Sequence, residues 1–252
     1  MPAPVHSDHG QGPVIVLLHG VGVGPESFDP MASQLPGHRV VVVGRPTGAG
    51  GGGLPLAEQV AELAPTLESL GAAELTLVGV SGGATLGLAL ALGRPGIVTR
   101  YVLHEPLVGR HAPELHARFR VAAERAAEGD AEAMDVVRAV MGDATWAALT
   151  PAARTAAIVR APRWREEIAA FAAFDPTPES LAALAGTPIL VTVGGRSSPE
   201  RTAAAEALAE LTGASISVVP GAANAAHLDA PAALAEIVLG WHPATAGSGG
   251  PR

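Results

Sequence analysis

The chain has 252 residues, 48% of them apolar, and a formal net charge of −8. That length supports one α/β domain with a full core, and an acidic balance without a basic patch argues against nucleic acid as a partner. Cysteine and lysine are both absent, which excludes disulfides, thiolate metal sites, a cysteine nucleophile, a Schiff base and a Ser-Lys dyad.

In chain order, Met1 to Gly12 is polar without an apolar signal core, and no apolar run is long enough to span a bilayer. The expectation is a soluble, cytoplasmic protein that takes a small-molecule substrate and no membrane partner. Pro13 to Leu18 predicts a buried strand that ends at His19-Gly20-Val21-Gly22, followed by a helix from Pro25 to Leu35. Arg39 to Val43 predicts another strand. Its exit, Gly44 to Gly53, is glycine-rich but lacks the Walker Lys-Ser/Thr pair and the dinucleotide glycine spacing, so it reads as a flexible turn and no cofactor is expected. Leu56 to Leu70 has helical spacing, and Leu75 to Val80 is the next strand.

That strand runs into Gly79-Val80-Ser81-Gly82-Gly83 and then a Leu- and Ala-rich helix. A serine on so tight a strand-to-helix turn is held in strained backbone, tolerable where Gly79 and Gly83 carry no side chain. The strain lifts the Ser81 hydroxyl clear of the sheet. The Gly82 N–H falls at a helix N-terminus, where unpaired donors and the dipole favour an oxyanion.

Thr99 to Leu103 predicts a strand that ends at His104-Glu105-Pro106. From 109 to 185 the pattern is helical, broken by Pro151, Pro162 and Pro176, and it reads as a lid within a single domain spanning 1–252. Trp146, Trp164, Phe171 and Phe174 are its aromatics. They pack the lid or meet a ligand, and Trp146, Trp164 and Phe171 are candidate substrate-binding residues together with His19. Strands at Pro188 to Val193 and Ala214 to Val219, helices at Pro199 to Leu211 and Pro231 to Trp241, and a flexible tail over 243–252 complete the chain. Alternation of this kind predicts a mostly parallel sheet covered by helices on both faces. His104, His111 and His116 show no metal-ligand spacing, so no metal is expected.

His19-Gly20, Gly79 to Gly83, the helical insertion and His227-Leu228-Asp229-Ala230-Pro231 together give a chain that resembles the α/β-hydrolase fold family over nearly its whole length. The resemblance implies a nucleophile elbow at Ser81, oxyanion donors at Val21 and Gly82, and a structural His19. It also implies a triad of Ser, acid and His, and here the pattern breaks. Ser197 stands where the acid commonly follows the late strand, and Glu105 lies at the strand end where some members carry it instead. The family's base precedes the proline of the last helix by seven positions, which falls on Asn224; His227 falls on a secondary position. An amide has no titratable nitrogen and cannot take the Ser81 proton at neutral pH.

Three readings are open at this stage. His227 swings in as base with Glu105 as acid, giving a serine esterase. Alternatively the oxyanion donors, Ser81 and Glu105 serve a cyclase, lyase or isomerase reaction on a carbonyl-containing substrate, as in family members recruited to biosynthesis. In the third, the chain is a binding module, a pseudoenzyme, or a hydrolase inactivated by His→Asn exchange.

Overall fold

The computed structural model describes residues 2–48 and 51–242; the predicted tail over 243–252 and two residues of the glycine-rich turn, Ala49 and Gly50, lie outside them. Seven strands form one sheet in the order β1-β3-β2-β4-β5-β6-β7. These are β1 Val5–His9, β2 Val14–Leu18, β3 Arg39–Val43, β4 Leu75–Val80, β5 Arg100–His104, β6 Ile189–Gly194 and β7 Ser215–Val219. From β3 to β7 every pairing is parallel, and only β1 runs antiparallel, against β3.

The central strands are hydrophobic runs because both faces are covered. All five residues of β2 and all six of β4 are buried. Successive side chains go to opposite layers. Val16, Leu18 and Leu77 join the layer with Leu63, Leu86 and Leu208, while Ile15, Leu17 and Val78 pack with Phe28, Met31 and Leu234. Each such side chain contributes about 1.5–3 kcal/mol on burial. The first layer is closed by α2 Leu56–Ser69, α3 Gly82–Gly93 and α10 Pro199–Thr212, and the second by α1 Asp29–Ala32 and α12 Pro231–Gly240.

Between β5 and β6 lie α4 Pro113–Glu128, α5 Asp130–Met141, α6 Asp143–Ala148, α7 Pro151–Val159, α8 Ala161–Ala172 and α9 Pro178–Ala182, with no strand among them, as the helical pattern predicts. They have a small core of their own around Met134, Val137, Trp164 and Ile168. A short helix, α11 Ala226–Asp229, interrupts the loop expected after β7.

Two predicted elements differ. The helix expected over Pro25 to Leu35 divides into a 3₁₀ turn, Pro25–Phe28, and the single-turn α1, with Pro30 in the first turn of α1 lacking the N–H needed to join them. The polar N-terminus contains β1, an edge strand that is mostly exposed and has no apolar alternation to mark it; β3 supplies its hydrogen bonds.

Parallel strands put their carboxyl ends on one edge, where α/β sheets hold ligands. Here β4, the middle strand, delivers Ser81, flanked by the exits of β2 at His19 and β5 at Glu105. The turn after β4 depends on close approach of backbones. A Cβ on Gly83 would lie 2.1 Å from the Leu18 carbonyl oxygen, and one on Gly79 would lie 2.5 Å from the Gly83 carbonyl oxygen. Neither neighbour is a flexible side chain that can yield. Gly83→Ala is therefore expected to cost about 3 kcal/mol or more, a fall in Tm of roughly 6–12 °C; thermal unfolding followed by circular dichroism checks it, and an unchanged Tm contradicts it.

Candidate active site

Ser81 sits at φ 53 and ψ −115 between β4 and α3. A non-glycine residue held at positive φ carries about 1–3 kcal/mol of strain. The neighbouring strand holds it there: the Ser81 N–H donates to the His104 carbonyl at 2.8 Å, and the Ser81 carbonyl accepts from the Thr85 N–H at 2.9 Å. Gly82 opens α3, so its N–H has no intrahelical partner.

Glu105, the first residue beyond β5, is also at positive φ, 52°. The bend turns its carboxylate into a fully buried nest. Oε1 accepts from the Gly194 N–H at 3.0 Å and from the Ser197 hydroxyl, Oε2 accepts from Asn224 Nδ2 at 2.8 Å, and Arg201 Nε lies 3.6 Å from Oε2. Burial raises the carboxyl pKa, but His104, Arg201, Ser197 and Asn224 together outweigh it, and the group is held below its ordinary value. The Glu105 side chain is 0% exposed, with Oε2 on Asn224.

Asn224 is thereby fixed. An ionised carboxylate only accepts, so it selects the NH₂ end of the amide and leaves Oδ1 and the second N–H for other partners. Asn224 and Ser81 line one cavity together with Gly20, Val21 and Met141. A second cavity also has Ser81 in its wall. Val21, Gly82, Leu107, Phe119, Val140 and Phe171 are among its walls, and no charged side chain is. A larger cleft, lined by Glu105, Asn224 and Asp135 as well as Arg118, Arg125 and Arg196, opens beside it.

The two candidate histidines are placed differently from an acid-held base. His227 lines the cavity with Ser81, but Nε2 pairs with Ser27 Oγ at 3.1 Å and the ring lies 4.5 Å from that of Phe28. The Ser27 hydroxyl spends its proton on the Gly24 carbonyl, so Nε2 is the protonated nitrogen, and Nδ1 is buried without a partner. Burial, with His104 nearby, pushes the His227 pKa down to about 3. His104 is buried as well, with Nδ1 on Thr192 Oγ1 and Nε2 on the Ala223 carbonyl, each at 3.0 Å. Burial lowers its pKa, and its two bonds tie β5 to β6 and to the loop carrying Asn224.

The remaining candidates separate. Phe171 borders the cavity, and a Cβ on Gly82 would lie 2.9 Å from its ring. Trp164 does not reach it: the indole is fully buried in the core of the insertion and donates to the Ala157 carbonyl at 2.8 Å. Trp146 packs beside that same core with Arg138 over its ring at 5.8 Å. Both follow the helix-packing reading of the aromatics. His19 is buried with both nitrogens engaged, Nδ1 donating to the Gly20 carbonyl at 2.9 Å and Nε2 accepting from the Arg45 N–H at 3.3 Å. Ser197, read as the residue replacing the acid, proves to be a donor to Glu105. Arg45, Arg201 and Glu167 were not singled out by the sequence; an interior arginine or glutamate on a loop or helix gives no local sign of being buried.

Solved structures of the same architecture are numerous. An α/β hydrolase enzyme from a Medee basin deep-sea metagenome library superposes with a TM-score of 0.75 at 19% identity, over 94% of each chain. MenH from S. aureus gives 0.74 at 14% identity, over 95% of this chain and 97% of that one. The enol-lactonase from Burkholderia xenovorans LB400 gives 0.71 at 20% identity, over 94% and 98%. No curated protein of similar sequence was found. The model of the "Alpha/beta hydrolase family" matches residues 15–237, most of the chain, and with the elbow, the parallel sheet and the helical insertion in place, this chain belongs to the α/β-hydrolase family.

Proposed function

We propose that the chain is an α/β-hydrolase-family enzyme that acts without hydrolysis on a small, largely apolar, carbonyl-containing substrate, as a cyclase, lyase or isomerase of a biosynthetic pathway. The observation that carries this reading is the hydrogen bond from Asn224 to Glu105. The acid holds a residue at the position of the family's base, and that residue cannot accept a proton from Ser81. The charge-free walls of the cavity favour an apolar substrate body, with the insertion α4–α9 acting as its lid.

In the proposed reaction the substrate carbonyl lies against the N–H groups of Val21 and Gly82. As a bond to the carbon next to the carbonyl breaks, its electron pair delocalises onto that oxygen, and the pair returns when the new bond of the rearranged product forms at that carbon. The two N–H donors hold the developing oxyanion, and the Ser81 hydroxyl and the second Asn224 N–H add hydrogen bonds; no acyl-enzyme forms. Preorganised donors of this kind contribute about 2.7–4 kcal/mol each to the transition state. Glu105 orients Asn224 from behind and does not touch substrate.

The serine esterase alternative needs His227 as base. Its bond to Ser27 and its low pKa both oppose that role, because a nitrogen that resists protonation is a weak proton acceptor. The reading is tested with p-nitrophenyl butyrate. The chain is expected to hydrolyse it no faster than its Ser81→Ala variant, and Asn224→His is expected to raise the rate at least about 100-fold, the contribution of a positioned base. Ready hydrolysis by the unchanged chain, lost in both Ser81→Ala and His227→Gln, would establish the esterase instead.

His227 also makes a pH prediction. Its pKa is near 6.5 when unfolded and about 3 when folded. Between those values the unfolded chain binds the extra proton, so stability falls as pH drops from 6.5 toward 3, by up to about 1.4 kcal/mol per pH unit for this one group. His227→Gln keeps an N–H for Ser27 and removes the titration. Urea unfolding at pH 7 and pH 5 should show a smaller acid loss in the variant, and equal losses would contradict the assignment.

A further inference from the structure

The Gly20–Val21 peptide is held from its carbonyl side by two buried donors. His19 Nδ1 gives the Gly20 oxygen a hydrogen bond at 2.9 Å, and Arg45 Nη2 gives it a second at 3.1 Å. The chain has no cis peptide bond among the described residues, so this peptide is planar and trans and its N–H, that of Val21, points away from its carbonyl. Gly20 has no side chain, and a Cβ there would lie 3.3 Å from that of Ser81. The two bonds to its carbonyl hold this peptide with its oxygen toward His19 and Arg45.

Arg45 is in turn held by the helical insertion. Its side chain and that of Glu167, on α8, are both 0% exposed and pair at 2.6 Å. Glu167 is fixed by Arg163 Nε at 2.6 Å, and the Phe171 ring, from the same helix, lies 5.4 Å from the Arg45 guanidinium. The neighbouring Glu166 accepts from the Gly53 N–H, and a Cβ on Gly53 would lie 2.9 Å from the Glu167 backbone nitrogen. The glycine-rich loop therefore lets α8 close onto the chain beyond β3, and the same helix brings Ile168 and Phe171 to the cavity.

We propose that Arg45 is a positioning residue that orients and polarises the Gly20–Val21 peptide as an oxyanion donor, and that Glu167 makes this orientation conditional on the docking of α8. The role of the donor rests on the function proposed above; the orientation does not. A cation on the carbonyl end of an amide makes its N–H more positive, so the guanidinium acts through the peptide on whatever oxygen Val21 contacts. When α8 withdraws, Arg45 loses its counter-charge and its ring contact together. The Gly20 carbonyl then keeps only its bond from His19 as a fixed restraint while the apolar wall opens, so the site is complete only when closed.

Removing Arg45 alone takes one of two arginine partners from the buried Glu167 carboxylate, leaving Arg163, and endangers folding. The test therefore uses the double variant Arg45→Met/Glu167→Leu, which removes both charges at similar volume, alongside Arg45→Lys, which keeps a donor. In ¹³C,¹⁵N-labelled full-length protein the Gly20 carbonyl carbon and the Val21 amide proton are expected to move upfield in the double variant and to return toward their original positions in Arg45→Lys. In an Asn224→His background the double variant is expected to slow Ser81 labelling by a fluorophosphonate at least about 10-fold, a fraction of the effect of deleting such a donor. Unmoved resonances, or moved resonances with unchanged labelling, overturn the proposal. If Asn224→His is not labelled at all, the functional reading falls, and the resonances alone decide the orientation.

Discussion

The geometry around the cavity depends on one buried carboxylate. Glu105 collects the Gly194 N–H, the Ser197 hydroxyl, the Asn224 amide and the Arg201 guanidinium at the carboxyl edge of the sheet. It thereby ties the ends of β5 and β6 to the loop after β7. An ion in this position is tolerated only when paired and hydrogen-bonded, and removing one partner from such a set costs about 3–5 kcal/mol. The same bonds that stabilise the charge decide which face Asn224 presents to Ser81. Here the carboxylate orients an amide, which on the proposed reading stands where a family triad would hold its imidazole.

The elbow and the insertion supply the other half of the site. Ser81 is held by backbone bonds to His104 and Thr85 on a turn that needs glycine at 83, where a Cβ would meet the Leu18 carbonyl. Phe119, Val140, Ile168 and Phe171 then close an apolar space over it. On the proposed reading these parts need only electrons to move onto a carbonyl oxygen. Such a reaction benefits from the same donors as ester hydrolysis without the proton relay.

Much of this was legible in the sequence because it rests on local rules. Apolar runs such as Val14 to Leu18 are strands with both faces covered, and the Gly79 to Gly83 spacing is a steric necessity. The resemblance placed Glu105 and Asn224 at the acid and base positions, but the hydrogen bond between them is set by the fold and has no local mark in the sequence. What escaped the sequence was long-range. Trp164 looks like a ligand-facing aromatic until the helices around it are placed, and β1 has no pattern of its own because β3 organises it. Arg45 and Glu167 lie 122 positions apart, and only the fold reveals that each is the other's counter-ion.

The central claim is that Ser81 has its turn and its donors but no base. Intact mass after exposure to an alkyl fluorophosphonate tests it most directly, on the unchanged chain and on Asn224→His. The account predicts no adduct on the unchanged chain and one phosphonyl group per Asn224→His molecule, lost when Ser81 is also replaced by alanine. Stoichiometric labelling of the unchanged chain at Ser81 would show that the serine is already activated and would contradict the account.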